Sequence, residues 1–223
     1  MTVLGRPGRR KAGRHRLPLR AAVVALATLP LVMALTDVYL AAAPAALIAS
    51  TATGALAVSA LAAQPFLAAR SRTADAALAR RRLGWHRLLG LVALSLVVLH
   101  VGALFAVEVE HTLFTLSPDG PTRARMAVIA LAALIAAATL GVTRRSLPIS
   151  TTTWRILHAY LASVAIVLGI GHAVLTDGAL DGLGTPVLIL FGVAGLAGVV
   201  YAHLTRPTRA RRADGAAGAV GMR

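Results

Sequence analysis

Six apolar stretches, near 21–41, 45–69, 85–107, 126–142, 154–175 and 183–204, alternate with short polar segments along the chain. A helix rises about 1.5 Å per residue, so a hydrocarbon core of about 30 Å takes roughly 20 residues to cross. The pattern predicts an all-α, polytopic membrane bundle of six transmembrane helices. The fourth stretch is the shortest and draws on residues to either side. Alanine, leucine and valine dominate throughout, with glycine and serine interspersed, a composition that lets membrane helices pack closely. The connections between them leave no room for a water-soluble domain.

Composition agrees. Of 223 residues, 57% are hydrophobic and 14% charged, and the mean hydropathy is +0.76. There is no cysteine, which excludes disulfides, thiolate metal sites and iron–sulfur clusters. Any metal chemistry falls to histidine, methionine or carboxylates.

Charge sets the expected orientation. Of the 23 Lys and Arg, seven precede residue 21, six lie in 70–87, three in 144–155 and five after 205, leaving Arg123 and Arg125 on the other side. The alternate connections carry Glu108, Glu110, Asp119, Asp177 and Asp181. Basic loops face the cytoplasm, so both termini are expected there and the protein is expected in the cell membrane as a multi-pass protein. The net charge of +15 is accounted for by this topology and by anionic lipid headgroups; nucleic acid is not an expected partner. The organisation expected is a basic cytoplasmic tail over 1–20, a six-helix domain over 21–205, and a basic disordered tail over 206–223. The N-terminal "RRKAGRHRLPLR" and the apolar run after it also fit a cleavable signal peptide. The length of the run, with Asp37 and Tyr39 where a signal would be ending, favours a retained first helix.

Histidine supplies the candidate chemistry. His86 and His100 lie in "LGWHRLLGLVALSLVVLHV", and His158 and His172 in "ILHAYLASVAIVLGIGHAV", each pair fourteen residues apart. At about 100° per residue, fourteen positions fall within about 40° of four full turns, so each pair shares one helix face about 21 Å apart along the axis. The third and fifth spans run in the same direction. His86 is therefore expected level with His158, and His100 with His172. Two imidazoles opposed at each of two depths suit a haem b, which takes one axial nitrogen on each side of its plane and tolerates an apolar surround. A zinc site needs three or four clustered ligands, and a proton relay normally brings acids into the bundle; neither is visible in these spans. Gly90, Gly102, Gly169 and Gly171 lie within four positions of the histidines and would let a flat ring approach the backbone. The other three histidines, His15, His111 and His203, lie in the basic tail, an external loop and the end of the sixth span.

The "LGWHRLLGLVALSLVVLH" segment resembles the HRxLG signature and second histidine of the ferric reductase-like transmembrane domain, shared by ferric reductases and NADPH oxidases. "WRILHAYLASVAIVLGIGH" is similar to that domain's later histidine helix, and the resemblance covers roughly residues 45 to 205. It implies a membrane b-type cytochrome with His86, His100, His158 and His172 as axial ligands to haem iron, at two haems. Electrons would come from a cytoplasmic-side protein or a membrane quinol and leave to an external acceptor. Family members with a flavin and nicotinamide domain differ from this chain, in which no GxGxxG occurs and no flavin site is indicated. The haem-binding subunits of methionine sulfoxide reductase type, which serve a periplasmic partner, are a second likeness.

Other residues admit two accounts. Arg87, Arg144, Arg145 and Arg155 at the inner boundary, and Arg123 and Arg125 outside, either pair with haem propionates or simply set topology. Trp85 and Trp154 are expected as interfacial anchors. Glu108, Glu110 and His111 could bind a ferric or cupric acceptor, or serve solubility alone, and "SPDGP" predicts a turn. A non-haem transporter or structural membrane protein, with histidines bonding between helices, is the rival from another class.

Overall fold

The computed structural model describes residues 28–69, 76–176, 178, 180 and 182–204, the side chains of Tyr39 and Ala76 excepted. The expected tails, Asp177, Asp181 and the first part of the first expected span lie outside the described residues.

All regular structure among the described residues is helical: α1 over 28–36, a 3-10 turn Val38–Leu40, α2 Ala45–Ala68, α3 Ala76–Val107, α4 Val109–Leu116, α5 Thr122–Val142, a 3-10 turn Thr143–Arg145, α6 Thr151–Val174 and α7 Gly184–Leu204. Five of these, α2, α3, α5, α6 and α7, are long and apolar enough to cross a membrane. The protein is a multi-pass membrane protein whose apolar faces meet lipid.

Local chemistry sets the boundaries. Pro44 and Pro121 precede α2 and α5, where proline's fixed φ suits a helix start and its missing N–H costs nothing. Ser150 caps α6, its hydroxyl accepting from the Thr153 amide at 3.0 Å. The helix α3 begins nine residues before the apolar run, because "AALARRRL" is made of good helix formers and no proline interrupts the segment. At about 1.5 Å per residue its 32 residues outrun the hydrocarbon core, so its basic first turns project beyond it. The helix α4 was not expected; it lies in the connection read as a loop. It is followed by a turn closed by the Gly120 amide on the Ser117 carbonyl at 3.0 Å. A Cβ at Gly120 would come within 2.5 Å of the Thr115 carbonyl oxygen, so the "SPDGP" turn requires glycine there.

The core lies where α2, α6 and α7 meet, around Ala62, Ile166, Ile170, Leu188 and Phe191. Glycines 192, 195 and 198 of α7 face it. Cβ atoms there would come within 3.4 Å of Ile170, Ala62 and Ile166, and 3.0 Å of Phe66 and Pro65, respectively. Small residues are what allow backbones this close in a medium where lipid competes equally for apolar contact.

Helix neighbours are arranged as α3 against α2, α2 against α7, α7 against α6, and α6 against α5, with α3 and α6 scarcely touching each other. These two are also the least covered spans: 6% of the apolar window of α3 and 11% of that of α6 are buried, against 28–33% for the others. The histidine-bearing helices thus stand apart.

Candidate functional site

The four histidines meet across this gap, level by level. The rings of His86 and His158 have centroids 6.2 Å apart and those of His100 and His172 6.3 Å, with interplanar angles of 70° and 72°. All four are half-buried. The helices α3 and α6 therefore run parallel and in register, as the matched spacing required.

Each ring is tethered by its Nδ1. His86 donates to the Gln64 carbonyl at 3.2 Å, His100 to the Ser50 carbonyl at 2.8 Å, His158 to the Ala137 carbonyl at 3.2 Å, and His172 to the Arg123 carbonyl at 3.0 Å. A carbonyl oxygen only accepts, so in a neutral imidazole the proton sits on Nδ1 and the lone pair is on Nε2. Metal-binding histidines are commonly oriented this way by their outer neighbours.

The acceptors repeat the donors' spacing. Ser50 and Gln64 are fourteen residues apart on α2, and Arg123 and Ala137 fourteen apart on α5. Each histidine helix is thus held by the helix before it, antiparallel to it. Sequence separations within each tethered pair are 22 and 50 in the first hairpin, 21 and 49 in the second. The α2–α3 and α5–α6 hairpins form a direct structural repeat, slipped by one residue.

The side chains around the repeat differ. Ser50, 1% exposed, sends its hydroxyl to the His100 carbonyl at 3.1 Å and lies 3.0 Å from His100 Nδ1. Gly54, one turn later, leaves room for this: a Cβ there would come within 3.0 Å of that same nitrogen. In the second hairpin Gly141 follows Ala137 by one turn, and a Cβ there would be 3.9 Å from His158 Cε1, an ordinary contact. Trp154 lies parallel to His158, with centroids 5.2 Å and planes 11° apart, and donates its indole N–H to the Leu140 carbonyl at 2.8 Å. Arg144 sits 5.5 Å over the Trp154 ring and donates to Thr151 Oγ1 at 2.8 Å. Trp154 is therefore a packing partner of the site as well as a candidate anchor, whereas Trp85 is exposed.

These distances fit a metal shared between two rings. A metal–imidazole bond of about 2 Å on each side, with about 1 Å from each nitrogen to its ring centre, puts the centroids about 6 Å apart. Two ligands per level suit an iron whose other positions are filled by a macrocycle. Among the described residues no group of three or more His, Asp or Glu could hold a metal ion by itself. Glu108, Glu110 and His111 are exposed and do not form such a group. Of the four glycines near the histidines, Gly102 and Gly169 face open space, Gly90 meets Gln64, and Gly171 meets the Met126 methyl.

Sequence reasoning missed Ser50, Gly54 and Gln64. The available signal was the fourteen-residue spacing of two polar residues on the span preceding the first histidine helix. It carries meaning only once α2 is known to pack antiparallel to α3.

No curated protein and no solved structure matches the chain. The family model described as "Ferric reductase like transmembrane component" matches residues 53–170, just over half of it. The matched segment includes Gly54, Gln64, His86, His100 and His158 and stops two residues short of His172. The chain belongs to the ferric reductase-like transmembrane component family.

Proposed function

We propose that the protein is a membrane b-type cytochrome that carries electrons across the bilayer, with His86 and His158 as the axial ligands at one level and His100 and His172 at the other. One observation carries the reading. Two level imidazole pairs have ring centroids 6.2 and 6.3 Å apart, and every Nδ1 is committed to a backbone carbonyl. Histidines that merely stitched helices together would have no need of a matched opposite ring at the same depth.

Haem b, when bound, supplies a one-electron iron couple whose potential its surroundings tune. The chain's residues do the rest. The carbonyls of α2 and α5 fix the tautomer and orientation of each ring. Ser50 adds a second polar contact at one level and Trp154 an aromatic face at the other. The apolar walls of α3 and α6 exclude water. The basic connections support a topology with both termini in the cytoplasm; in that orientation the His86/His158 level faces the electron donor, a protein or a membrane quinol, and the His100/His172 level faces an external acceptor.

The test is a reduced-minus-oxidised visible spectrum of the detergent-purified protein with haem quantified per chain. Two b-type haems are expected, falling to one in His100→Ala and in His172→Ala. A protein without haem after supplementation would overturn the proposal and leave the histidines as interhelical bonds.

A further inference from the structure

Gln64 is out of place in the repeat. Its backbone carbonyl tethers His86 as that of Ala137 tethers His158, so the repeat works with no polar side chain at that point. Yet Gln64 carries an amide whose Oε1 is buried without a hydrogen-bond partner. Its Nε2 end lies against Gly90, one turn after His86, where a Cβ would come within 3.0 Å of it. A buried acceptor left unsatisfied is unfavourable anywhere and more so in a protein surrounded by lipid. The small residue opposite therefore accommodates a side chain whose polar end the protein leaves unmatched.

Packing alone does not account for this. A leucine or methionine would fill the same space against Gly90 without a buried polar atom, and α2 uses apolar residues freely elsewhere. The amide instead suits an O–H donor arriving with something bound beside His86.

We infer that Gln64 is a positioning residue whose amide accepts a hydrogen bond from an O–H group at the His86/His158 level, making that level's polar environment different from the other's. The inference rests on the haem reading above. The O–H group belongs either to a carboxyl side chain of the haem in its protonated form, the form a lipid-surrounded site favours, or to a water held beside it. Both present the same donor to Gln64. At the other level the polar contact comes from Ser50, which is already satisfied through His100.

The experiment uses the full-length protein in detergent. In a His100→Ala background, which leaves the His86/His158 haem alone, Gln64→Met is expected to shift the midpoint potential by the equivalent of about a tenfold change in the oxidised-to-reduced ratio, about 59 mV for one electron. In a His86→Ala background the same substitution is expected to leave the remaining haem's potential unchanged. Loading with haem dimethyl ester separates the sources: a shift that vanishes assigns the donor to the carboxyl, and one that persists assigns it to water. Should Gln64→Met fail to accumulate, Gln64→Asn, which withdraws the amide by one methylene, is expected to give the same shift. An unmoved potential with haem retained overturns this inference alone. Absence of haem from the unsubstituted protein overturns the haem reading and this inference with it.

Discussion

His100 and Ser50 hold each other through both backbone and side chain: the imidazole Nδ1–H donates to the Ser50 carbonyl at 2.8 Å while the serine hydroxyl donates to the His100 carbonyl at 3.1 Å. The two residues are fifty positions apart in sequence. Their contact fixes the register of α2 against α3 at the His100 level, as Gln64 and His86 fix it at the other. Because a ring held this way has lost most of its rotational freedom before any ligand arrives, binding there would spend little entropy on ordering it.

Gly54 is what admits the His100 ring to the Ser50 carbonyl. Gly54→Val should displace the imidazole, since even a Cβ would come within 3.0 Å of Nδ1. The expected result is loss of one haem per chain by pyridine haemochrome assay. Gly141→Ala, where the contact would be 3.9 Å, should retain both.

Ligands that share one iron should not act independently. His100→Ala with His172→Ala should cost no more haem than either alone, one per chain, whereas His86→Ala with His100→Ala should remove both. Additive loss in the first combination would separate the residues that face each other across α3 and α6.

Trp154 steadies His158 from one face while bonded to the Leu140 carbonyl. Trp154→Ala should weaken haem binding at the His86/His158 level by about 10–100-fold, the usual range for an outer-shell residue. Trp154→Phe, which keeps an aromatic face, should lose less. Haem titration of the purified variants, each in a His100→Ala background, measures both.

The turn at Gly120 offers a test of stability away from the histidines. Gly120→Ala would bring a Cβ within 2.5 Å of the rigid Thr115 carbonyl. Crowding of this kind costs about 1–3 kcal/mol. The variant should show a lower thermal midpoint in detergent with an unchanged haem spectrum.

Orientation can be tested cleanly because the chain has no cysteine. Asp119→Cys should react with a membrane-impermeant maleimide in intact cells, and Ser146→Cys only after the membrane is opened. The opposite pattern would invert the proposed topology and exchange the donor and acceptor sides.

Much of this was legible in the sequence because it depends on local periods. Hydropathy marked α2, α3, α5, α6 and α7 to within a few residues, except that α3 begins well before its apolar run, where charged but helix-favouring residues extend it. The helical period put His86 with His100, and His158 with His172, on common faces. Odd and even crossings made the two histidine helices parallel, which brings equal spacings to equal depths. The short helix Val109–Leu116 escaped notice because its polar residues resemble a loop in composition.

Tertiary structure decided what holds those histidines and what distinguishes the levels. The carbonyls that accept from them belong to the preceding helices and leave no mark in side-chain identity, since any residue carries a carbonyl. Gly54 and Gly90 acquire meaning only from the imidazole and the amide that lie against them. Trp154 took on a second role when α6 packed on α5 and brought Leu140 within reach of its indole. The sequence by itself determined the number of rings, their faces and their spacing, because these follow from covalent order and helical pitch; only packing between antiparallel neighbours decided which backbone oxygens and which side chains surround each ring.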